Sequence, residues 1–406
     1  MSMNNKVPEI RFKGFSRAWE NLTLGDLGSV AMNKRIFKHQ TTITGDVPFF
    51  KIGTFGKQPD AFISKALFDE YKEKYPYPVE GDLLLSASGS IGRVVEYKGE
   101  NQYFQDSNIV WLKHDGKIDN TFLKFFYSMV KWSGLEGSTI KRLYNKNILD
   151  TEISTPERQE QIAIGNTFQK LDALINQHQQ KHDKLSNIKE AMLENLFPKH
   201  GKNTPEIRFK GFSGEWVENN LGELIDIRSA ARVHKGQWTE AGVPFFRTSD
   251  VVSIYKRQKN TKAYISHEIY HDLSEKIGKV TKDDLLITGG GSIGIPYLVP
   301  NDNPLYFKDA DLLWLKNNKK INGYFLYTFF FSASFKQHIK SISHTGTIAH
   351  YTIEQAKATP ISTCSYEEQT KIGNYFQKLD NLINQHQKQI TKLNNIKQAC
   401  LSKMFV

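Results

Sequence analysis

Cysteine is nearly absent from this 406-residue chain, which has only Cys364 and Cys400. Two cysteines support neither a disulfide framework nor a thiolate zinc site, and they are typical of a reducing compartment. No hydrophobic run approaches the roughly 20 residues that a membrane-spanning helix needs. The opening stretch, MSMNNKVPEIRFKGF, has no apolar signal-peptide core. We therefore expect a cytoplasmic protein.

An excess of acidic residues is also missing, because the formal net charge is +11. The basic excess falls in both halves of the chain and fits a polyanionic partner such as DNA. Alone it does not single out DNA, since many soluble proteins are equally basic. The length predicts two or three domains, and 39% hydrophobic residues are enough to build their cores.

The dominant positive feature is an internal repeat of a long amphipathic segment. Residues 168–197 read FQKLDALINQHQQKHDKLSNIKEAMLENLF, and residues 376–405 read FQKLDNLINQHQKQITKLNNIKQACLSKMF. Apolar residues recur every three or four positions, which is the period of one face of an α-helix. Thr155 before Pro156 predicts the start of the first helix, and Ser365 with Glu368 forms a capping-box pattern for the second.

A helix this long cannot bury its apolar stripe in one globular core, so the two copies are expected to pair. Two matching histidines lie within the stripe and admit two interpretations: a ligand site, or polar residues that fix the register of the pair. We favour the second, because no metal-ligand spacing surrounds either histidine. The predicted helix-pair interface consists of Leu171, Leu174, Ile175, His178, Leu185, Ile188, Leu379, Leu382, Ile383, His386, Leu393 and Ile396.

The regions before the two helices repeat as well. PEIRFKGF followed by tryptophan occurs at residues 8–19 and 205–216, and similar apolar strand-like runs and aromatic helix-like runs follow in each half. We predict an α/β (α+β) fold in which two similar mixed domains are joined by an antiparallel, pseudo-two-fold helix pair. The predicted segments are a first domain, 1–155; a central helix, 156–201; a second domain, 202–360; and a C-terminal helix, 361–406.

Two short motifs raise the possibility of enzymatic chemistry. Residues 289–294 spell G-x-G-x-x-G, but Pro296 and Pro300 follow and oppose the helix that a dinucleotide site requires, so a turn between strands is favoured. Residues 303–306, NPLY, lack the second proline of the methyltransferase motif that grips a flipped base. We find no convincing catalytic set and no metal-ligand set.

The chain resembles the specificity subunit of type I restriction–modification systems. The resemblance rests on the repeated PEIRFKGF…W openings, on the GDLLLSASGSIG and DDLLITGGGSIG turns, and on the matching sequences that lead into both helices. The resemblance implies that each domain is a target recognition domain for one half of a split, asymmetric DNA site. It implies that the helix pair sets the spacer and docks two modification subunits, with two restriction subunits as further partners. It also implies that this chain binds no cofactor, S-adenosylmethionine belonging to the modification subunits and ATP and Mg to the restriction subunits.

Loops on the repeated frame differ between the halves, and binding specificity usually resides in such loops. Arginine and lysine can contact guanine, and asparagine, glutamine, serine and threonine can contact adenine or other base edges. Most contacts are expected to go to phosphates. The predicted DNA-binding residues are Lys34, Arg35, Lys51, Ser88, Arg93, Lys141, Arg142, Tyr144, Arg232, Lys235, Arg247, Ser249, Lys256, Arg257, His344, His350 and Tyr351.

Two other classes of function stay open at this point. One is an autonomous DNA methyltransferase or nuclease with its own active site, which a complete cofactor loop would have favoured. The other is a coiled-coil scaffold without a role on DNA, which the loop variation on a repeated frame disfavours. The preferred interpretation is a non-catalytic DNA-recognition subunit.

Overall fold

The structure is a computed structural model that describes residues 7–132, 141–308, 311–342 and 350–405. Its compact parts are two units: residues up to 178 with those from 388 onward, and residues 179–387. Each unit therefore contains one globular domain and a segment of each long helix. Among the described residues, no helix is both long and apolar enough to cross a membrane.

The elements alternate irregularly between short strands and helices in both halves. The first half contains β1 (Glu20–Thr23), α1 (Leu24–Leu27), β2 (Ser29–Ala31), β3 (Val47–Phe50), β4 (Phe62–Ile63), α2 (Lys65–Lys74), β5 (Leu83–Ser86), β6 (Val94–Glu96), β7 (Tyr103–Phe104), β8 (Ile109–Lys113), α3 (Asn120–Met129), α4 (Asn145–Leu149), β9 (Glu152–Thr155) and α5 (Arg158–Asn195). The second half contains β10 (Val217–Asn220), α6 (Leu221–Leu224), β11 (Asp226–Arg228), β12 (Trp238–Thr239), β13 (Val243–Phe246), α7 (Thr248–Lys256), β14 (Ala263–Ile265), α8 (His267–Ile277), β15 (Leu285–Thr288), β16 (Pro296–Leu298), β17 (Tyr306–Phe307), β18 (Leu312–Lys316), α9 (Gly323–Phe329), α10 (Ala333–Ile342), α11 (Ile353–Lys357), β19 (Pro360–Thr363) and α12 (Tyr366–Met404).

The two domains have corresponding sheets, and the second domain has one additional strand, β12. The first has sheets ordered β2-β8-β5-β6 and β4-β3-β7, and the second has β11-β18-β15-β16 and β12-β14-β13-β17. In each domain a further two-stranded ladder, β1-β9 or β10-β19, lies next to the start of the long helix. Strands β3 and β7 run parallel, as do β13 and β17, while the other ladders are antiparallel. The predicted mixed α/β fold with two repeated domains is confirmed.

The register of the central ladder is the same in both domains. Leu84 pairs with Trp111 in the first domain, and Leu286 pairs with Trp314 in the second. All four side chains are buried. The apolar runs that predicted strands are thus strands covered on both faces, which is why they read as continuous rather than alternating hydrophobic sequence.

The tryptophans of the PEIRFKGF…W segments are core residues in both domains. Trp19 packs edge-on against Phe122 of α3, and Trp216 packs against Phe197 and Phe325. The aromatic runs predicted to be buried helices are α3 and α9. Asp119 caps α3 by accepting the amides of residues 121 and 122, and Asn322 caps α9 by accepting the amide of Phe325.

Antiparallel segments of the two long helices pack together within each unit. In the first unit Lys397 of α12 donates to Asp172 of α5 at 2.6 Å. In the second unit Lys189 of α5 donates to Asp380 of α12 at 2.5 Å. Asp172 corresponds to Asp380 in the 208-residue repeat, and Lys189 corresponds to Lys397. The two ion pairs are therefore equivalent, and each unit contains the same helix-to-helix contact.

The predicted helix-pair interface is only partly buried. Leu379 and Ile383 are buried, but Leu174 and Ile396 are 43% and 39% exposed. Elements of the domains cover only part of the helix pair, so parts of each stripe stay open to solvent, as at these two residues. Ile390 is also buried, but it was not among the predicted interface residues. Its counterpart in the first copy is His182, so a comparison of the two copies did not mark this position as apolar.

The expected start of the first long helix needs correction. Thr155 is the last residue of β9, where it pairs with Glu20, and α5 begins at Arg158. A residue before proline favours extended backbone, so Thr155 continues the strand instead of capping the helix. The expected start of α12 is confirmed, because Ser365 Oγ accepts the amide of Glu368 at 3.3 Å.

Both long helices carry a glycine where the first turn of a domain helix touches them. A Cβ atom on Gly373 would lie 2.4 Å from Asn322 Oδ1 and 3.0 Å from the amide nitrogen of Phe325. We expect Gly373→Ala to lower the free energy of unfolding by about 2 kcal/mol, because overpacking displaces the α9 cap. Urea denaturation of the wild-type and variant chains measures this difference in the free energy of unfolding.

A matched control for this substitution is Asn374→Ala, at the exposed neighbouring position of α12. It should change stability by no more than about 0.5 kcal/mol. Equal effects of the two substitutions would show that close helix contact at Gly373 is not what the position requires.

Candidate nucleic-acid interface

Three chain segments of the first domain meet beyond the end of β5. The amide of Ala87 donates to the carbonyl of Asn108 at 2.8 Å, and the amide of Leu143 donates to the carbonyl of Ala87 at 2.8 Å. Ser88 pairs with Arg142 in an isolated bridge. The Ser88 hydroxyl also donates to Asn108 Oδ1 at 2.7 Å. We call this meeting point of residues 87–88, 106–108 and 141–143 the first junction.

Arg142 is the predicted DNA-binding residue with the most suitable surroundings at the first junction. Its Nη2 donates to the carbonyl of Ser107 at 3.1 Å, and its guanidinium lies 5.8 Å from the ring centre of Tyr144. Its side-chain contacts with described residues include no carboxylate. Its remaining donors are available for a base edge or a phosphate, and Lys141 beside it is exposed.

Arg35 borders the same junction from another loop, next to Lys34 in the sequence. Arg35 Nε contacts Asp106 at 2.8 Å, although the arginine side chain is 62% exposed. Lys34 lies 4.9 Å from the ring centre of Tyr75. Exposed ion pairs of this kind contribute little to stability. Arg35 can therefore leave the carboxylate of Asp106 and contact a DNA phosphate instead.

Two further predicted residues of the first domain have internal partners. Lys51 pairs with Asp60 at 2.9 Å, and Arg93 Nη1 donates to the carbonyl of Phe55 at 2.8 Å. Arg93 is partly buried and holds the loop after β3 against the β5–β6 turn. Its observed contact is structural.

The second domain repeats the junction with different side chains. The amide of Gly289 donates to the carbonyl of Asp311 at 2.8 Å, and the amide of Tyr351 donates to the carbonyl of Gly289 at 2.8 Å. A Cβ atom on Gly290 would lie 3.5 Å from Asp311 Oδ1 and 3.6 Å from His350 Nδ1. Lys308 forms an ion pair with Asp311. We call residues 289–290, 311 and 350–351 the second junction.

The two junctions therefore have the same backbone frame and different hydrogen-bonding groups. Ser88, Asn108 and Arg142 of the first junction correspond to Gly290, Asp311 and His350 of the second. Amide and guanidinium groups favour adenine and guanine edges, whereas a carboxylate accepts from the amino group of cytosine. Such a pair of sites is suited to reading two unrelated sequences.

Tyr351 does not belong among the DNA-contacting residues. Its side chain is 1% exposed and packs edge-on against Phe335 in the core. Its hydroxyl shares a 2.6 Å hydrogen bond with Thr359, and burial raises the pKa of the phenol. The prediction for this residue was wrong because a tyrosine that lies close to a variable segment in the sequence can itself be buried in the core. His344 lies outside the described residues.

Arg247 is committed to an internal ion pair. Its Nε donates to Asp250 Oδ2 at 2.8 Å, its Nη2 donates to the carbonyl of Thr261, and the carboxylate of Asp250 is buried. Ser249 is exposed and accepts a hydrogen bond from Asn260. The structure thus gives Arg247 a positioning role. The other predicted basic residues of this domain are exposed without an ion pair to any described residue: Arg232, Lys235, Lys256 and Arg257.

Sequence reasoning missed Asn108 and Asp311. Both are polar and lie two residues after the matched positions Asp106 and Asp309 in the repeat. The signal available in the sequence was that these two corresponding positions of the repeat carry different polar residues, close to an aspartate that both halves share.

The glycine motif at 289–294 connects β15 to β16 as a hairpin turn, so the dinucleotide interpretation is excluded. Among the described residues, no cluster of three or more histidine, cysteine or acidic side chains could hold a metal.

Comparison with known proteins gives a consistent result. The family model for the type I restriction modification DNA specificity domain matches residues 16–187 and 213–395. A Haemophilus influenzae protein described as a type I restriction enzyme specificity subunit is 54% identical over 156 residues, which are 38% of this chain and 40% of that protein. The chain thus matches less than half the length of this relative.

A solved structure shares the fold. The S subunit of the type I restriction-modification system from M. genitalium superposes with a TM-score of 0.59 at 18% sequence identity, covering 99% of each chain. That likeness supports the two-domain architecture. Because the family model matches the domain and the long helix of both halves, the chain belongs to the type I restriction-modification DNA specificity family.

Proposed function

We propose that this chain is the non-catalytic DNA-recognition subunit of a type I restriction–modification complex and that its two domains read the two halves of a split, asymmetric site. The observation that carries the proposal is the pair of junctions. Each presents polar side chains on the same frame of three segments, and the side chains differ between the domains. Two copies of one frame with different groups account for two different half-sites.

The helix pair is proposed to set the distance between the half-sites. Its helices contain 38 and 39 residues, which correspond to about 57 Å at a rise of about 1.5 Å per residue. The Lys189–Asp380 and Lys397–Asp172 ion pairs fix the register of the antiparallel segments in their own units. Base pairs between the half-sites then need no contact, as in other proteins whose geometry fixes half-site spacing.

The partners follow from this role. Two modification subunits that bind S-adenosylmethionine and methylate adenine are proposed to dock on the helix pair, one for each half-site. Restriction subunits that use ATP and Mg are proposed as further partners. The chain itself is proposed to bind no cofactor.

Substitution of Arg142 tests the first junction. We expect Arg142→Gln to weaken binding of a cognate duplex by about 1–3 kcal/mol and to relax preference at one base pair of one half-site only, because a forked guanine contact is lost. Selection of bound duplexes from a random pool, followed by sequencing, measures both effects. Lys170→Gln, an exposed charge-matched change on α5, is the control. Unchanged affinity and unchanged preference in Arg142→Gln would remove this residue from the interface.

A further inference from the structure

The second domain has a basic extension that the first domain lacks. In the first domain, residues 51–61 connect β3 to β4, carry Lys51, Lys57 and Asp60, and contain the Lys51–Asp60 ion pair. In the second domain the corresponding connection, 247–262, is longer and contains the additional helix α7. Its last residues, 256–262, read KRQKNTK, with four basic side chains and no acidic one. We call residues 256–262 the basic extension.

The charges of the basic extension are uncompensated. All its residues are exposed. Lys256, Arg257, Lys259 and Lys262 form no ion pair with any residue in the described part of the chain. The nearby carboxylate of Asp250 is already occupied by Arg247 and by Asn260, which donates to it at 2.8 Å. Four unpaired cations within one short segment create a local positive potential that favours a polyanion.

The basic extension is also held in one shape. Arg257 has a left-handed backbone with φ of 56°, which ends α7 and turns the chain. Asn260 ties the segment back to the first turn of α7, and Arg247 does so through the carbonyl of Thr261. At the end of α7, Tyr255 stacks on Phe331 with ring centres 5.9 Å apart. A preorganised segment loses less conformational entropy on binding than a flexible basic tail.

Helix α7 connects this extension to the second junction. The hydroxyl of Thr248, the first residue of α7, donates to the carbonyl of Asp311 at 3.3 Å. The helix has nine residues, so its two ends are about 13 Å apart. Measured along the duplex axis, that distance corresponds to about four base-pair steps, at about 3.4 Å per step. A duplex contacting the junction with a base edge can thus contact the extension with its backbone.

We propose that the basic extension is a phosphate-binding site that clamps the DNA backbone beside the second half-site, so that the second domain supplies more of the sequence-independent affinity than the first. The proposal rests on the proposed DNA-recognition function. It adds that the two domains contribute unequally to the sequence-independent binding affinity. Arg247 and Asp250 act in it as positioning residues. Phosphate contacts of this kind fix register and orientation without reading sequence.

The test measures the salt dependence of binding to a random-sequence duplex of about 30 base pairs, using the full chain. Each phosphate contact contributes about 0.9 to the slope of log K against log salt concentration. For K256Q/R257Q/K259Q/K262Q we expect a slope shallower by about 2–3.6, and at least tenfold weaker binding at about 0.1 M salt. The smaller variant K259Q/K262Q, which leaves α7 intact, should give about half of the change in slope.

The control variant is K210Q/K276Q/K279Q/K320Q, which removes four exposed charges from the same unit but none from the basic extension. Its slope should change by less than about 1. Equal slopes for the wild-type chain and the extension variants would overturn the proposal, as would an equal loss in the control. Failure of the wild-type chain to bind any duplex would instead contradict the proposed function itself.

Discussion

Replacing Arg208 with alanine should lower the free energy of unfolding by about 3 kcal/mol. Arg208 donates through Nε and Nη2 to the two oxygens of Glu368, both at 2.7 Å, and the glutamate side chain is only 2% exposed. Removing the arginine leaves a buried carboxylate without its partner. Urea denaturation followed by tryptophan fluorescence measures the loss, because Trp216 lies in the core of the same unit.

Two further variants separate the buried ion pair from other effects. Lys199→Ala breaks an exposed ion pair with Glu206 and should cost less than about 1 kcal/mol. The double variant R208M/E368Q removes both charges and should recover much of the loss, since the desolvation cost of the carboxylate disappears with it. A loss in Arg208→Ala no larger than that in Lys199→Ala would rule out the anchoring role given to this pair.

Lengthening both long helices by one turn should change the spacer that the assembled complex accepts. Lys181 and Gln389 correspond in the repeat, so four residues inserted after each keep the Lys189–Asp380 and Lys397–Asp172 pairs on their own segments. Four helical residues add about 6 Å, which corresponds to about one to two base pairs. Methylation mapping of cells that express the variant measures the spacer directly.

An insertion after Lys181 alone is the matched control for this design. It shifts one helix against the other, so the helix pair must lose one ion pair or bulge. We expect poor methylation from the single insertion and full methylation with a longer spacer from the double one. Unaltered spacing with full activity in the double variant would contradict the proposed ruler.

Repetition made most of the architecture predictable from the sequence. A 30-residue helical pattern that occurs twice indicates two pairing helices, and the matching glycine turns and aromatic runs place the same sheet and helix in both domains. The buried Arg11–Glu160 and Arg208–Glu368 pairs were not predicted, although both lie in repeated segments. Opposite charges far apart in sequence give no local periodic signal, so only the folded chain brings them together.

The candidate site was less predictable than the fold. Helix α7 occurs in only one domain, so the repeat gave no guide to it, and its nine residues are too few for periodicity to decide. Arg247 and Tyr351 lie next to variable loops, but one is held by Asp250 and the other is buried. Residue type and loop position therefore selected candidates such as Arg142, but could not separate residues free to bind DNA from those with contacts inside the domain.

The central claim is tested most directly by co-expressing this chain with a candidate modification subunit in a host without other adenine methylation and mapping methylated adenines across the genome. The proposed function predicts one split motif with a fixed spacer, methylated once on each strand and in every copy. It also predicts that Arg142→Gln alters only one half of that motif. A stable complex that methylates a continuous motif, or that methylates without sequence preference, would contradict it.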